Sequence, residues 1–365
     1  MNLEDFIKKT IEADSPFVSY RLPDSQFPVT MKTSKVVVFD NPESIREASG
    51  FLIHPFAVSD RFPALFFFEG ERFEGWDFDC PNHALIPKRS LNADFSSCFT
   101  EQSEAQYNLL ANQLINSCKS NEIEKVVFSR IINRPLSKNF NFGRLFAQLC
   151  NANPSAFVYI FNIGNGQIWV GATPETLLTS LSGKCETMSL AGTVAHNSGQ
   201  KENTTEFSQK ELHEQELVTD YIVKILEYSN VKNLTKHKLE VRNAGPVKHL
   251  QKLFSFDLPF DESPINLALK LHPTPAVCGL PPKRALQIIQ SIEPHNRAYY
   301  SGFLGPVSNK TSVNLFVNLR CMAVVNQKAS IFVGGGITPD SSAESEWDET
   351  NLKAQTLLLI IEQQC

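Results

Sequence analysis

The sequence predicts an α+β layered fold, an α/β sandwich in one large domain, on three observations. Short apolar runs bounded by proline, glycine or polar turns recur along the chain and read as strands. Stretches of helical period fall between them irregularly, which favours layers over a strictly alternating doubly wound sheet. The 365 residues are 42% hydrophobic and include 27 phenylalanines, enough for a sizeable packed interior.

Composition excludes several function classes. A net charge of -5 without long runs gives no basic footprint for nucleic acid or an anionic membrane. The phenylalanines are not interleaved with Lys/Arg clusters, so they read as core. No apolar run approaches the roughly 20 residues that span a bilayer. Residues 1–6 lack a basic and apolar leader, so a cytoplasmic protein is expected. Eight cysteines at 80, 98, 118, 150, 185, 278, 321 and 365 form no C-x-x-C pair, which predicts reduced, mostly buried thiols. A Walker loop, a Rossmann fingerprint and a serine elbow are all absent from the sequence.

In chain order, residues 1–102 hold strand-like pieces at 35–39 and 64–68 and no catalytic constellation, so they are read as a scaffold portion of the same domain. Residues 103–365 are the catalytic portion. Helical spacing runs from 104 to 117, and residues 124–130 form a strand with Lys125, Val127 and Ser129 on one face. A lysine opening a strand is usually solvated; in a dry cleft, desolvation would make it usable as a general base. Strands at 156–161 and 167–170 flank a hairpin signal. Thr173 then reads as an N-cap, Pro174 as the first helical residue and Glu175 as a first-turn acid.

Residues 184–190 return as a strand ending in Ala191-Gly192-Thr193, where amides and a hydroxyl could meet an anion. A loop at 195–203 is expected to be mobile. In the helix from about 205 to 228, Glu214 lies in line with the apolar stripe Val218, Tyr221, Ile222 and Ile225, so it needs a cationic partner. The segment 271–282 is stiffened by proline and positions a loop. Residues 285–292 are read as a helix, 299–305 as a strand, and 312–325 as one strand carrying Arg320, whose charge must meet an anion.

The C-terminal stretch organises the rest. An apolar strand, 329–333, runs into Gly334-Gly335-Gly336, and a helix follows with Ser341 and Glu344 spaced as a capping box. Glu346, Glu349 and Lys353 share one helix face. A surface ion pair between Glu349 and Lys353 is the plain reading of that spacing.

Together these pieces resemble the chorismate-utilising enzymes over roughly residues 103–360. The matching blocks, in order, are Lys125-Val-Val-Phe-Ser-Arg130, Gly171-Ala-Thr-Pro-Glu175, Leu190-Ala-Gly-Thr193, His213-Glu214, Tyr300-Ser-Gly302, Leu319-Arg320 and Gly334-Gly-Gly336 through Glu346-x-x-Glu349-x-x-x-Lys353. Within the family, aminating members carry glutamine at the position of Lys125, and aminodeoxychorismate synthases carry lysine at that of Ala191. The segment His272-Pro-Thr-Pro-Ala276-Val-Cys-Gly-Leu-Pro281 resembles isochorismate synthases. One departure is Lys252, where a hydroxyl residue usually follows the histidine equivalent to His249.

The resemblance implies Mg²⁺-dependent, reversible conversion of chorismate to isochorismate: water adds at C2 and the C4 hydroxyl leaves. It implies Lys125 as general base, Glu175 as general acid, and Glu214 and Glu349 as Mg²⁺ ligands. It places Ala191, Gly192, Thr193, His249, Ala276, Tyr300, Arg320, Gly335, Gly336, Glu346 and Lys353 against the substrate, Glu346 acting around the metal through water. A monomer with no obligate glutaminase subunit is expected. Menaquinone supply is the favoured pathway because no partner domain is fused; a siderophore or salicylate is the alternative. The rival activities are salicylate synthesis, with pyruvate eliminated in the same site, and non-catalytic chorismate binding.

Overall fold

The computed structural model describes residues 1–33, 35–45, 47–79, 98–196, 207–308 and 312–364. Cys80, Cys365 and residues 197–203 of the expected mobile loop lie outside them; the six described cysteines are buried and form no disulfide with one another.

The described chain opens with α1 (Leu3–Glu12), β1 (Phe17–Arg21), β2 (Val29–Lys32), β3 (Val36–Val38), β4 (Gly50–His54), β5 (Leu65–Phe68) and β6 (Glu71–Glu74). It continues with α2 (Glu104–Lys119), β7 (Lys125–Pro135), α3 (Phe142–Ala152), β8 (Phe157–Asn162), β9 (Ile168–Thr173), β10 (Thr176–Leu181), β11 (Lys184–Ala195) and α4 (Gln209–Tyr228). Next come β12 (Lys232–Ala244), β13 (Val247–Asp257), α5 (Pro264–Leu271), β14 (Gly279–Leu280) and α6 (Pro282–Ile292). The last elements are β15 (Phe303–Ser308), β16 (Ser312–Val317), β17 (Cys321–Val325), β18 (Lys328–Ile337) and α7 (Ala343–Glu362).

Two nine-stranded antiparallel sheets face each other. One runs β14-β7-β18-β17-β9-β8-β1-β2-β6, the other β12-β13-β11-β10-β16-β15-β4-β5-β3. Between them lies an aromatic core that includes Tyr20, Phe51, Phe157, Tyr159, Trp169 and Phe316. Phe157 and Phe316, from opposite sheets, stack at 4.2 Å between centroids. The outer face of the first sheet is covered by residues of α1, α3 and α7, and that of the second by α4 and α5. This is the expected α+β sandwich. The N-terminal strands sit in both sheets, so residues 1–79 share the core with the rest.

Two connections fix where a cleft can form. β9 belongs to the first sheet and β10 to the second, while β16 and β17 cross back the other way. The two crossings lie side by side: Val317 N donates to Glu175 O at 3.0 Å, and Ala172 N to Arg320 O at 3.1 Å. Two expectations are therefore corrected. Pro174–Glu175 starts no helix; it links two strands, and burial among strand partners overrides the capping signal. Arg320 is not inside a long strand; it sits at φ +49° between β16 and β17, where the chain changes sheet.

Three smaller corrections follow. The three glycines stay within β18, which ends at Ile337. The α7 cap is Ser342, which accepts from Ser345 N, and not the Ser341/Glu344 box. Tyr300 lies in a turn ahead of β15.

Candidate active site

The crossings open onto a cleft of about 640 Å³ counting its mouth. Its lining includes Glu175, Ala191, Thr193, Glu214, His249, Ala276, Tyr300, Arg320, Gly335, Gly336 and Lys353, all singled out by sequence. Four expected residues stand outside the lining. Lys125 lies behind Glu214 and Gly336, and Glu346 and Glu349 sit beyond Gly335. Gly192 is at a bulge between β11 and β13, with φ +65°, which suits a residue without a side chain. Lys252 is paired with Ser189 further up β13 and is not among the described lining residues.

Lys125 is fully buried, and its Nζ stands 2.9 Å from Glu214 Oε1. The two form an ion pair at hydrogen-bond distance, and no other polar group among the described residues meets the ammonium. Glu175 is also buried. Burial pushes its carboxyl up to about 8, with Lys125, Lys353 and Arg242 pulling against the rise. At Glu214 burial is the largest influence and pushes upward, but Lys125, Lys353 and Lys210 together outweigh it and hold the carboxyl below its usual range. One cleft thus holds an acid kept neutral by burial and a carboxylate kept charged by surrounding lysines.

The wall opposite is a relay. Arg320 Nη2 lies 3.1 Å from His249 Nε2, and His249 Nδ1 lies 3.2 Å from Thr193 Oγ1. Since Arg320 can only donate, Nε2 accepts and Nδ1 carries the proton. Burial, Arg320 and Lys353 together hold His249 well below its ordinary value, so it is neutral. Arg320 Nη1 also caps Lys353 O at 3.3 Å.

At the C-terminal junction the Glu349–Lys353 ion pair is present at 2.5 Å, and Lys353 Nζ also donates to Gly334 O at 2.9 Å. Glu346 Oε1 accepts from Lys210 Nζ and from Ser341 Oγ, each at 2.7 Å. Burial and the Glu349 charge push the Glu346 carboxyl up to about 7 against the pull of Lys210. Sequence reasoning missed Lys210. The signal was available, since Lys210 precedes Glu214 by four residues on α4 and so shares its face.

Whether these groups fit a divalent cation turns on what the carboxylates do now. Each is drawn to a lysine: Glu214 to Lys125, Glu346 to Lys210 and Glu349 to Lys353. Among the described residues no three metal-binding side chains converge as they stand. The donor set nevertheless fits a hard cation. It is all oxygen, Glu346 Oε2 is buried without a partner, and the glycines make room for it. A Cβ on Gly335 would lie 2.8 Å from Glu346 Oε2, and one on Gly336 would lie 2.4 Å from Glu214 Oε1. A side chain at either position would have to displace a carboxylate.

A family model described as chorismate binding enzyme matches residues 82–362. The chain belongs to that family. Isochorismate synthase EntC of Escherichia coli is 29% identical over 242 residues, 65% of this chain and 62% of that protein. The match thus spans less than two thirds of that relative. MenF, the menaquinone-specific isochorismate synthase of Escherichia coli, shares the fold at TM-score 0.77 and 20% identity, over 96% of this chain and 91% of that one. Anthranilate synthase component I of Streptococcus pneumoniae does so at TM-score 0.71 and 19% identity, over 94% and 92%. This chorismate binding enzyme therefore shares its architecture with relatives of two activities, and the side chains in the cleft must separate them. No helix of the described residues is long and apolar enough to cross a membrane.

Proposed function

We propose that this chorismate binding enzyme is an isochorismate synthase, a hydroxymutase that adds water at C2 of chorismate and expels the C4 hydroxyl with an allylic shift. The observation that carries the reading is a buried pair of opposite character at the cleft, Glu175 in its lining and Lys125 directly behind Glu214 and Gly336. The base is the neutral amine of Lys125, not the ammonium that pairs with Glu214 at rest, and as the amine it takes a proton from the attacking water. Glu175, protonated at neutral pH because burial raises it to about 8, gives one to the departing hydroxyl. Protons and oxygens balance, so the step runs in either direction. Resemblance adds that water-using members carry lysine where ammonia-using ones carry glutamine, so no glutaminase partner is needed.

Glu214 and Glu349 would hold Mg²⁺, with Glu346 beside them, and the ion when bound supplies positive charge for the ring carboxylate. The second carboxylate is assigned to Arg320 and Lys353, whose guanidinium and ammonium converge on the cleft. Neutral His249 fixes Arg320 without adding charge. Ala191, Thr193 and the amides near Gly335 border the same space. We place the product upstream of menaquinone; deletion of the gene that lowers siderophore output but leaves menaquinone intact would move it elsewhere.

The test is incubation of purified protein with chorismate and Mg²⁺, products resolved by liquid chromatography. Isochorismate in a reversible mixture with chorismate is expected. Salicylate plus pyruvate would assign a salicylate synthase, and no turnover would leave a binding protein.

A further inference from the structure

A buried ion pair stands behind the cleft, used by none of the roles above. Glu293 ends α6 as its C-cap, and Arg297 follows four residues later; both side chains are almost wholly buried. Their contacts are with main chain. β14 pairs with β7 at Lys125 and Val126, and beyond that point these side chains take over the strand's edge. Glu293 Oε1 accepts from Ser129 N and Ser129 Oγ, each at 2.8 Å. Arg297 Nη2 donates to Val127 O and Nη1 to Val277 O, both at 2.7 Å. The pair is closed by Nε to Glu293 Oε2 at 2.8 Å and Nη2 to Oε1 at 2.6 Å. Arg297 O accepts from Tyr300 N at 2.8 Å, and its guanidinium lies 4.4 Å from the Phe56 ring centroid. Val127, Val277 and Tyr300 all line the cleft.

We propose that Glu293 and Arg297 are positioning residues that lock three cleft walls, the Lys125 strand, the Ala276–Val277 segment and the Tyr300 turn, into one register. A buried ion pair is a poor device for stability alone, because desolvation offsets its attraction. A planar guanidinium bridging two carbonyls and a carboxylate is a good device for geometry. Small misplacement of a catalytic group can cost about 100-fold in rate.

The inference rests on the isochorismate synthase reading, and its test separates the two. Glu293→Leu/Arg297→Met removes both charges together; Arg297→Lys keeps the charge but not the planar bridge. Measured are the unfolding midpoint, kcat and KM for chorismate with Mg²⁺, and hydrogen exchange of peptides covering 125–130, 273–280 and 297–302. The expected result for the double variant is a midpoint lowered only by the main-chain groups left unpaired, about 100-fold lower kcat per folded molecule with a smaller change in KM, and faster exchange confined to those peptides. Arg297→Lys is expected to lose about 10-fold in kcat, and it decides the matter if the double variant does not fold. Wild-type kcat per folded molecule in Arg297→Lys, or unchanged exchange in the double variant, would overturn the proposal. If the wild type itself turns over no chorismate, the reading of function fails, and the exchange result alone still judges the clamp.

Discussion

One strand, β7, lives in two environments. Its far half, at Ile131 and Ile132, is packed in apolar clusters on both faces of the first sheet. Its first residue, Lys125, is just as buried yet has a charge to satisfy. The aromatic core is settled by shape, with ring on ring from Phe157 to Phe316. At the cleft, Glu214, Glu346 and Glu349 are each met by an internal lysine, and Glu346 Oε2 is left without a hydrogen bond. Shape settles one part of the strand's surroundings, and charge settles the other.

The sharpest way to break that contrast is at the acid and base. Lys125→Ala and Glu175→Gln should each lower kcat about 10²–10⁴-fold, with metal-dependent chorismate binding and the unfolding midpoint largely kept. Normal turnover in either would remove it from its role. The opposite result is expected in the core: Phe157→Ala should cost about 3–5 kcal/mol of stability by denaturant titration, while kcat per folded molecule stays near wild type.

Gly336→Ala probes the cleft's geometry. Its Cβ would meet Glu214 Oε1, so Mg²⁺ titration should show at least about tenfold weaker binding; a normal titration would mean that Glu214 has room to spare. The pH dependence sharpens the electrostatics. Glu175 must be protonated to act as acid and titrates at about 8, so kcat should fall as pH rises through that value. Arg242 pulls Glu175 downward, so Arg242→Gln should move this alkaline limb to higher pH. A limb that does not move would assign it to another group. The smallest effect concerns Glu346. With its carboxyl near 7, Mg²⁺ binding at pH 7 should release roughly half a proton by calorimetry in buffers of different ionisation enthalpy, and Glu346→Gln should abolish that release.

Much of this was readable from the chain because the signals were local. Glu346, Glu349 and Lys353 share a face through helical spacing alone, and Glu214 stood out as a carboxylate in an apolar stripe. What was illegible depended on which sheet each strand joins. Pro174–Glu175 looks like a helix start and is a sheet crossing; residues 312–325 look like one strand and are two, in different sheets. Those crossings place Glu175 and Arg320, and no periodicity within either segment reports them. Glu293 and Arg297 were invisible for a similar reason, since their partners are backbone groups up to 170 residues away.

The central claim is that Lys125 and Glu175 move solvent oxygen onto chorismate, and isotope incorporation tests it directly. In H₂¹⁸O with Mg²⁺, isochorismate should carry one ¹⁸O at C2, and recovered chorismate should gain label at C4 as the reaction reverses. Isochorismate formed without label would mean that the hydroxyl migrates within the substrate, and the acid–base account would be wrong.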